Sequence, residues 1–329
     1  MLSYRAILKQ AWKISWKNKF LWFFGFFATL VSFTVETKIM SRSFNQEAGI
    51  SSLNDLILFI STGIFSANSW GNAFNLLKSN PGTMMLLILF LLIILAITLF
   101  FLWLAVSSQI GIINAVAKLA KKQNEKLSIK GLLKGGQKRF WPVLWLNLAT
   151  SLVVNILFLL ISLLFIIVII KSQVFTSILY GIIFIAFIPV ALFLSFIAKY
   201  AIASVILEGK KFAPAIKDGW QLFFNNWLIS VEMAIILFFI NVIAIVLLSL
   251  LSFIGFTLFF GIALSINMLA SSIFLFWLFV ALGFLLVMFI MVLGGSFVNV
   301  FQTASWTNLF VQLKGEGGSS KLERVFTEK

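Results

Sequence analysis

Residues Leu86–Val106 read LLILFLLIILAITLFFLWLAV, an uncharged run in which only Thr98 carries a side-chain hydroxyl. At 1.5 Å per residue a helix of this length is about 30 Å long, the thickness of a bilayer's hydrocarbon core. A lipid-facing strand would alternate apolar and polar residues over about ten positions, and this run does not alternate. Helix is the remaining conformation that satisfies every backbone amide and carbonyl within lipid. Similar runs recur, and they place spans at about 18–35, 83–106, 141–168, 174–198, 228–251 and 273–298. With 61% apolar residues, 11% charged residues and a mean hydropathy of +1.10, the 329-residue chain departs from soluble composition. The expectation is an all-α polytopic transmembrane helical bundle of about six spans, forming one integral membrane domain. The basic stretch Arg5–Lys19 ahead of the apolar Phe20–Val35 has the outline of a secretory leader. Trp12 and Trp16 on a helical pattern, and the lack of a small-x-small site after the run, make it an uncleaved first span.

Charge orients these spans. Of the 25 basic residues, all but Lys38, Arg42, Lys78 and Lys171 fall in residues 1–19, 107–140, 199–227 and after 299. Cytoplasmic loops carry that excess, so an even number of spans with both termini cytoplasmic follows. The formal charge of +15 is thereby explained by topology, and nucleic acid is not an expected partner. Met233–Leu313 holds no formal charge; a third span there would carry the basic tail to the other side. Residues 252–272 are therefore expected to form an outer connection, broken at Gly255, Gly261 and Asn267, with an interfacial or re-entrant path left open. In the long outer loop, Leu53, Leu56, Ile57, Ile60 and Ile64 recur at helical spacing and suggest a short interfacial helix over 53–66. Residues 314–329, with Gly315, Gly317, Gly318, Ser319 and Ser320, read as a flexible cytoplasmic tail.

An internal repeat precedes the odd-numbered spans. Ala6-Ile7-Leu8-Lys9-Gln10-Ala11-Trp12, Gly131-Leu132-Leu133-Lys134-Gly135-Gly136-Gln137 and Pro214-Ala215-Ile216-Lys217-Asp218-Gly219-Trp220 share their pattern. Each leads into an aromatic membrane entry, so the unit is a basic helix followed by a helical hairpin, spanning about 1–106, 128–207 and 212–313. In the first copy Arg5, Lys9, Lys13 and Lys17 form a stripe, beside a face holding Tyr4, Ile7, Leu8, Ala11 and Trp12, with Trp16 one turn on. Lysines there can reach anionic headgroups, worth about 1 kcal/mol each near the surface, while tryptophan favours the same depth. The second copy carries Lys130, Lys134 and Lys138, although Gly131, Gly135 and Gly136 weaken its helix by up to ~1 kcal/mol each. The third sets Lys217 among Ile216, Trp220, Phe223, Phe224 and Trp227, with Pro214 suited to a first helical turn. Cytoplasmic-side anionic lipid is the expected partner; a protein partner is not identified by these residues. Simple anchoring and specific lipid or protein recognition are both open for these helices.

A resemblance follows from Ile206-Leu207-Glu208-Gly209, Ala215-Ile216-Lys217-Asp218-Gly219-Trp220, Asn226-Trp227 and the opening Ala11-Trp12 to Trp22-Phe23-Phe24-Gly25. These segments resemble bacterial multi-pass proteins related to the membrane domain of glycerophosphodiester phosphodiesterases. In that family the membrane domain can be fused to a soluble phosphodiesterase domain, of which this sequence displays no counterpart. The resemblance implies a helical module of a bacterial inner membrane and carries over no catalytic residue.

Chemistry-bearing residues are sparse. Cysteine and histidine are absent, which removes thiolate and imidazole metal sites and His-based acid/base mechanisms; no cofactor or metal is expected. Glu232 is the one carboxylate inside a span, about a turn from the cytoplasmic surface, where it can snorkel or pair with Lys217 or Lys199. Asn147, Ser151 and Asn155, four apart in span three, share a face and are expected to hydrogen-bond between helices; Gly283, Gly294, Gly295 and Asn299 of span six are candidates to meet them. Pro189 is expected to kink span four. Glu125, Glu208, Asp218 and the tail carboxylates read as ordinary loop charges. The leading functional expectation is a non-enzymatic membrane scaffold or regulatory module with a basic cytoplasmic face. A small-molecule or lipid transporter is the alternative, and an intramembrane lipid-acting enzyme, lacking histidines and acidic clusters, comes third.

Overall fold

A computed structural model describes residues 4–31, 81–120, 129–171, 174–270 and 272–315. They form α1 (Tyr4–Lys17), α2 (Phe20–Val31), α3 (Pro81–Ala120), α4 (Ile129–Gln137), α5 (Phe140–Lys171), α6 (Val174–Glu208), α7 (Phe212–Asn225), α8 (Trp227–Ala270) and α9 (Ile273–Gly315). No strand occurs among the described residues. Five helices contain segments long and apolar enough to cross a membrane: Met85–Ala120, Phe140–Ile161, Gly181–Glu208, Trp227–Leu269 and Ile273–Gly315. A shorter apolar stretch, Phe20–Thr29, lies in α2. The chain is an all-α, multi-pass membrane protein. The interfacial helix expected over 53–66 and the tail after Gly315 lie outside the described residues.

Most helices outrun the apolar segments that announce them. α3 continues fourteen residues past Val106, α6 ten past Ala198 and α9 seventeen past Val298. The polar triplet Ser107-Ser108-Gln109 marks an end in hydropathy but not in the helix: Ile110, Ile112, Ile113, Ala115 and Val116 beyond it are all buried. Residues 107–120, expected to be loop, are thus a packed helix. A second correction concerns residues 252–272. The expected outer connection does not form, because α8 runs unbroken to Ala270. Gly255, Gly261 and Asn267 do not interrupt it. There Gly255 makes room for Leu286 and Gly283 for Phe256 and Phe259 of the hairpin partner. Ser265 Oγ donates to the Gly261 carbonyl at 2.9 Å. At 44 and 43 residues, α8 and α9 are each about 65 Å long, roughly twice the hydrocarbon core.

The chain divides into two compact units. One draws on Met1–Ser32, Leu104–Leu146 and Phe196–Lys329. In it α1 and α2 pack on α9, α8 packs on α9, and α7 contacts α8. Its core holds Ile7, Leu21, Phe24, Ile110, Phe196, Tyr200, Phe223 and Leu309, all nearly inaccessible. The second unit draws on Phe33–Trp103 and Asn147–Ser195. There Val154, Phe158 and Ile161 of α5 enclose Phe187 and Ala191 of α6, with the Phe158 and Phe187 rings 4.8 Å apart, edge to face.

Three connections within the first unit have explicit chemistry. Asn18, between α1 and α2, donates from Nδ2 to the Ile14 carbonyl at 2.9 Å, and Asn226, between α7 and α8, does the same to Leu222 at 3.0 Å. The Leu222 carbonyl would otherwise stay open, because the Asn226 amide turns to Phe223, whereas the Ile14 carbonyl also accepts the Asn18 amide at 3.1 Å. Gly209 ends α6 in the left-handed region, at φ 74°, where a side chain would be strained. One such hydrogen bond is worth about 0.5–1.5 kcal/mol net. Asn18→Ala and Asn226→Ala should each lower thermal stability in detergent by that amount, and by similar amounts, as read from side-by-side melting curves.

Candidate functional site

The basic helices are the natural place to build a site, because they concentrate cations next to tryptophan. α1 buries Tyr4, Ile7, Ala11, Ile14 and Ser15, and it does so against protein. Its apolar face, expected in the acyl layer, is divided: Ile7 and Ala11 are inaccessible, whereas Trp12 and Trp16 stay 52% and 53% exposed. Arg5, Lys9, Lys13 and Lys17 are exposed as well. The two indoles are parallel within 5°, with centroids 6.0 Å apart. Phe297 of α9 stands edge-on to both, at 5.0 and 5.8 Å, and Phe301 lies 6.0 Å from Trp12. Trp22 of α2 completes the cluster at 5.6 Å from Phe297, its Nε1 donating to the Ser15 carbonyl at 2.9 Å. Two other helices, α2 and α9, therefore fix the position of the α1 aromatics.

Glu232 accepts a hydrogen bond from the Tyr4 hydroxyl, so the first turn of α1 meets a carboxylate near the start of α8. Lys199, named as a possible partner for Glu232, places its Nζ 4.6 Å from the Trp306 ring centroid, in cation–π geometry.

α7 repeats the α1 arrangement. It buries Ala215, Gly219 and Phe223, and exposes Lys217 along with Trp220 and Phe224 at 52% and 51%; Trp227, the first residue of α8, is 52% exposed. A Cβ on Gly219 would sit 2.7 Å from the Ile197 carbonyl oxygen and 2.9 Å from the Ala201 amide nitrogen. Only glycine permits α7 to lie this close to α6. In α4, Leu132 and Gly136 are buried, and Lys138 just after it is exposed; the side chains of Lys130 and Lys134 lie outside the described residues. A Cβ on Gly136 would be 3.3 Å from the Ser107 carbonyl oxygen. All three helices dock through a small residue, Ala11, Gly136 or Gly219, set four positions after an apolar one.

Behind α7 lies a charge cluster that residue-by-residue reading missed. Lys210 Nζ is 2.8 Å from both Glu208 and Asp218 carboxylate oxygens, and Lys314 Nζ is 3.1 Å from Glu208 and 2.8 Å from Asp218. The Ser204 hydroxyl donates to Asp218. Glu208 and Asp218, read as loop charges, thus join the ends of α6 and α9 to α7. One sequence signal was present: Asp218 is the only acidic residue in the three basic helices. Burial alone would raise the Asp218 pKa, but hydrogen bonds from Lys210, Lys314 and Ser204 and the charge of Lys314 outweigh it and bring it down to about 2. Hydrogen bonds to Asp218 and then Glu208 raise the Lys210 pKa. A depressed carboxylate stabilises the fold above its ordinary value of 3.8 and loses that contribution as pH falls toward about 2. Thermal stability should therefore drop across that acid window by on the order of 1–2 kcal/mol after screening, and Asp218→Asn should flatten the drop. The Lys210 contribution has the opposite sense: it is present below 10.5 and fades only as pH rises through the elevated folded value.

In the second unit, Asn155 is exposed and its Nδ2 reaches Ser151 Oγ at 3.5 Å, along its own helix; Asn147 and Ser151 are half-buried. In the first unit, Gly294 faces Leu248 and Gly283 faces Phe256 and Phe259 of α8, so these two glycines serve their own hairpin. Among the described residues no group of three or more carboxylates is placed to hold a metal ion. In comparisons with known proteins, no family model, curated protein or solved structure matches the chain.

Proposed function

We propose that this protein is a non-enzymatic scaffold or regulatory module of a bacterial inner membrane, with both termini cytoplasmic and a basic layer on that side. The carrying observation is the division of labour on α1 and α7: one face is spent on docking, and the lysine and tryptophan face is left outward. A helix that served only to orient the chain would not need its aromatics fixed by three other rings. Three tandem units, each a basic helix and a hairpin, make up the chain in this reading. It is supported by the shared burial of Ile7, Leu132 and Ala215 and of Ala11, Gly136 and Gly219, and by the equivalent asparagines at positions 18 and 226. The resemblance to phosphodiesterase membrane domains fits a module that works beside other activities. Crosslinking in native membranes followed by affinity capture should recover a reproducible protein partner, and Lys9→Glu/Lys13→Glu should lose it. Recovery of lipid alone would count against a protein scaffold.

A second reading, a small-molecule or lipid transporter, is favoured by the exposed amide of Asn155 within an apolar helix. Reconstituted vesicles should then show substrate-dependent flux that Asn155→Leu and Glu232→Gln reduce; vesicles without flux would remove it.

A further inference from the structure

We infer that α1 holds one anionic phospholipid, its phosphate on Lys9 and Lys13 and its glycerol and upper acyl chains against Trp12 and Trp16. The inference deepens the proposed function, since it rests on the basic layer facing an anionic leaflet. Three observations carry it. Lys9 lies three residues before Trp12 and Lys13 three before Trp16, so a ridge of cations runs beside a ridge of indoles on one helix surface. Both ridges are open: the lysines are exposed and the indoles are exposed by half. Phe297 and Trp22 hold the indoles in place from two other helices, which lowers the ordering cost of capturing a ligand.

The molecule supplies its own control. Counting from the paired sequence motifs, the α7 equivalents of Trp12 and Trp16 are Trp220 and Phe224, whose rings are 4.6 Å apart and whose exposure matches. The equivalents of Arg5, Lys13 and Lys17 are Ala213, Gln221 and Asn225, leaving Lys217 alone on that ridge. α7 thus keeps the aromatic half of the site and lacks most of its charge. A phosphate-bearing lipid should discriminate between the two helices, while a neutral lipid or a general preference of tryptophan for the interface should not.

The test is native mass spectrometry of the full chain in detergent, titrated with phosphatidylglycerol, phosphatidylcholine or inorganic phosphate. The wild type should retain a phosphatidylglycerol that Lys9→Gln/Lys13→Gln binds about 30-fold more weakly, two basic contacts being lost. Gln221→Lys/Asn225→Lys, at exposed positions, should gain a second one. Trp12→Leu/Trp16→Leu should lose the lipid although its lysines remain, with Trp12→Phe/Trp16→Phe restoring part of it. Equal retention of phosphatidylcholine, no gain in the α7 variant, or full displacement by inorganic phosphate would each overturn the inference. Failure of the broader reading is distinguishable: lipid retention in detergent would persist while capture of a protein partner from membranes failed.

Discussion

Gly219→Leu should destabilise the protein by about 3 kcal/mol or more, whereas Gly261→Leu should be nearly silent. Inserting side-chain volume into a packed interior usually costs about 1–3 kcal/mol, because side chains leave their rotamers and backbones shift. At Gly219 the obstacle is backbone: the first added carbon already falls within 3 Å of the Ile197 carbonyl oxygen and the Ala201 amide nitrogen, and neither can rotate away. Gly25 of α2 is in the same position, its added carbon meeting the Ser296 carbonyl oxygen of α9. Gly261 has no atom within 4 Å of the added carbon, so a larger residue there extends into open space. Thermal unfolding of the purified variants in one detergent, read by loss of the monodisperse species, ranks the three directly. Equal stability of the Gly219 and Gly261 variants would mean that α7 is not docked on α6.

The second large effect is expected at Phe223. Its side chain is 1% exposed and lies 5.7 Å from Phe196, which lies 5.4 Å from Trp306; Tyr200 then joins Trp306 and Phe310 at 6.2 and 6.3 Å. This row of rings connects α7, α6 and α9 within the first unit. It is closed by the hydrogen bond between the Tyr200 and Ser230 hydroxyls, 2.7 Å apart and buried. Truncating a fully buried phenylalanine costs about 3–5 kcal/mol from lost burial and the cavity left behind. Phe223→Ala should fall in that range. Its neighbour Phe224, half exposed, should cost less than about 1 kcal/mol on the same change, because the helix surface there keeps its lipid or detergent cover. The contrast between adjacent residues of one type separates docking from aromatic content in general.

Hydrophobic run length made the spans legible, and the side chains facing them did not enter that reading. Ends were harder. Ser107, Ser108 and Gln109 stop an apolar run without stopping a helix: the Ser107 and Ser108 hydroxyls are buried without a hydrogen-bond partner among the described residues, and the turns that follow are held by the packing of Ile110, Ile112 and Ile113. Gly255, which reads as a breaker, is a packing position facing Leu286 of α9, a pairing that local sequence does not display. The amphipathic pattern of α1 identified two faces but left open whether lipid or protein would cover the apolar one. Ile7 and Ala11 went to protein and Trp12 and Trp16 did not, a split that depends on α9 and its Phe297 lying 281 or more residues away. The cluster of Glu208, Lys210, Asp218 and Lys314 was illegible for the same reason: Lys314 lies 106 residues from Glu208 and 96 from Asp218. Local pattern carries the elements, and long-range pairing decides what each face is for.

The central claim, that the basic helices share one face of the membrane, is tested most directly by sided labelling. The chain has no native cysteine, so single replacements of the exposed Lys13, Lys138 and Lys217, and of Ser272 between α8 and α9, can be probed in intact cells and in inverted vesicles with an impermeant maleimide. Labelling of the three lysine positions only in inverted vesicles, and of Ser272 only in intact cells, is the predicted result. Labelling of Lys138→Cys and Lys217→Cys from opposite sides would contradict it.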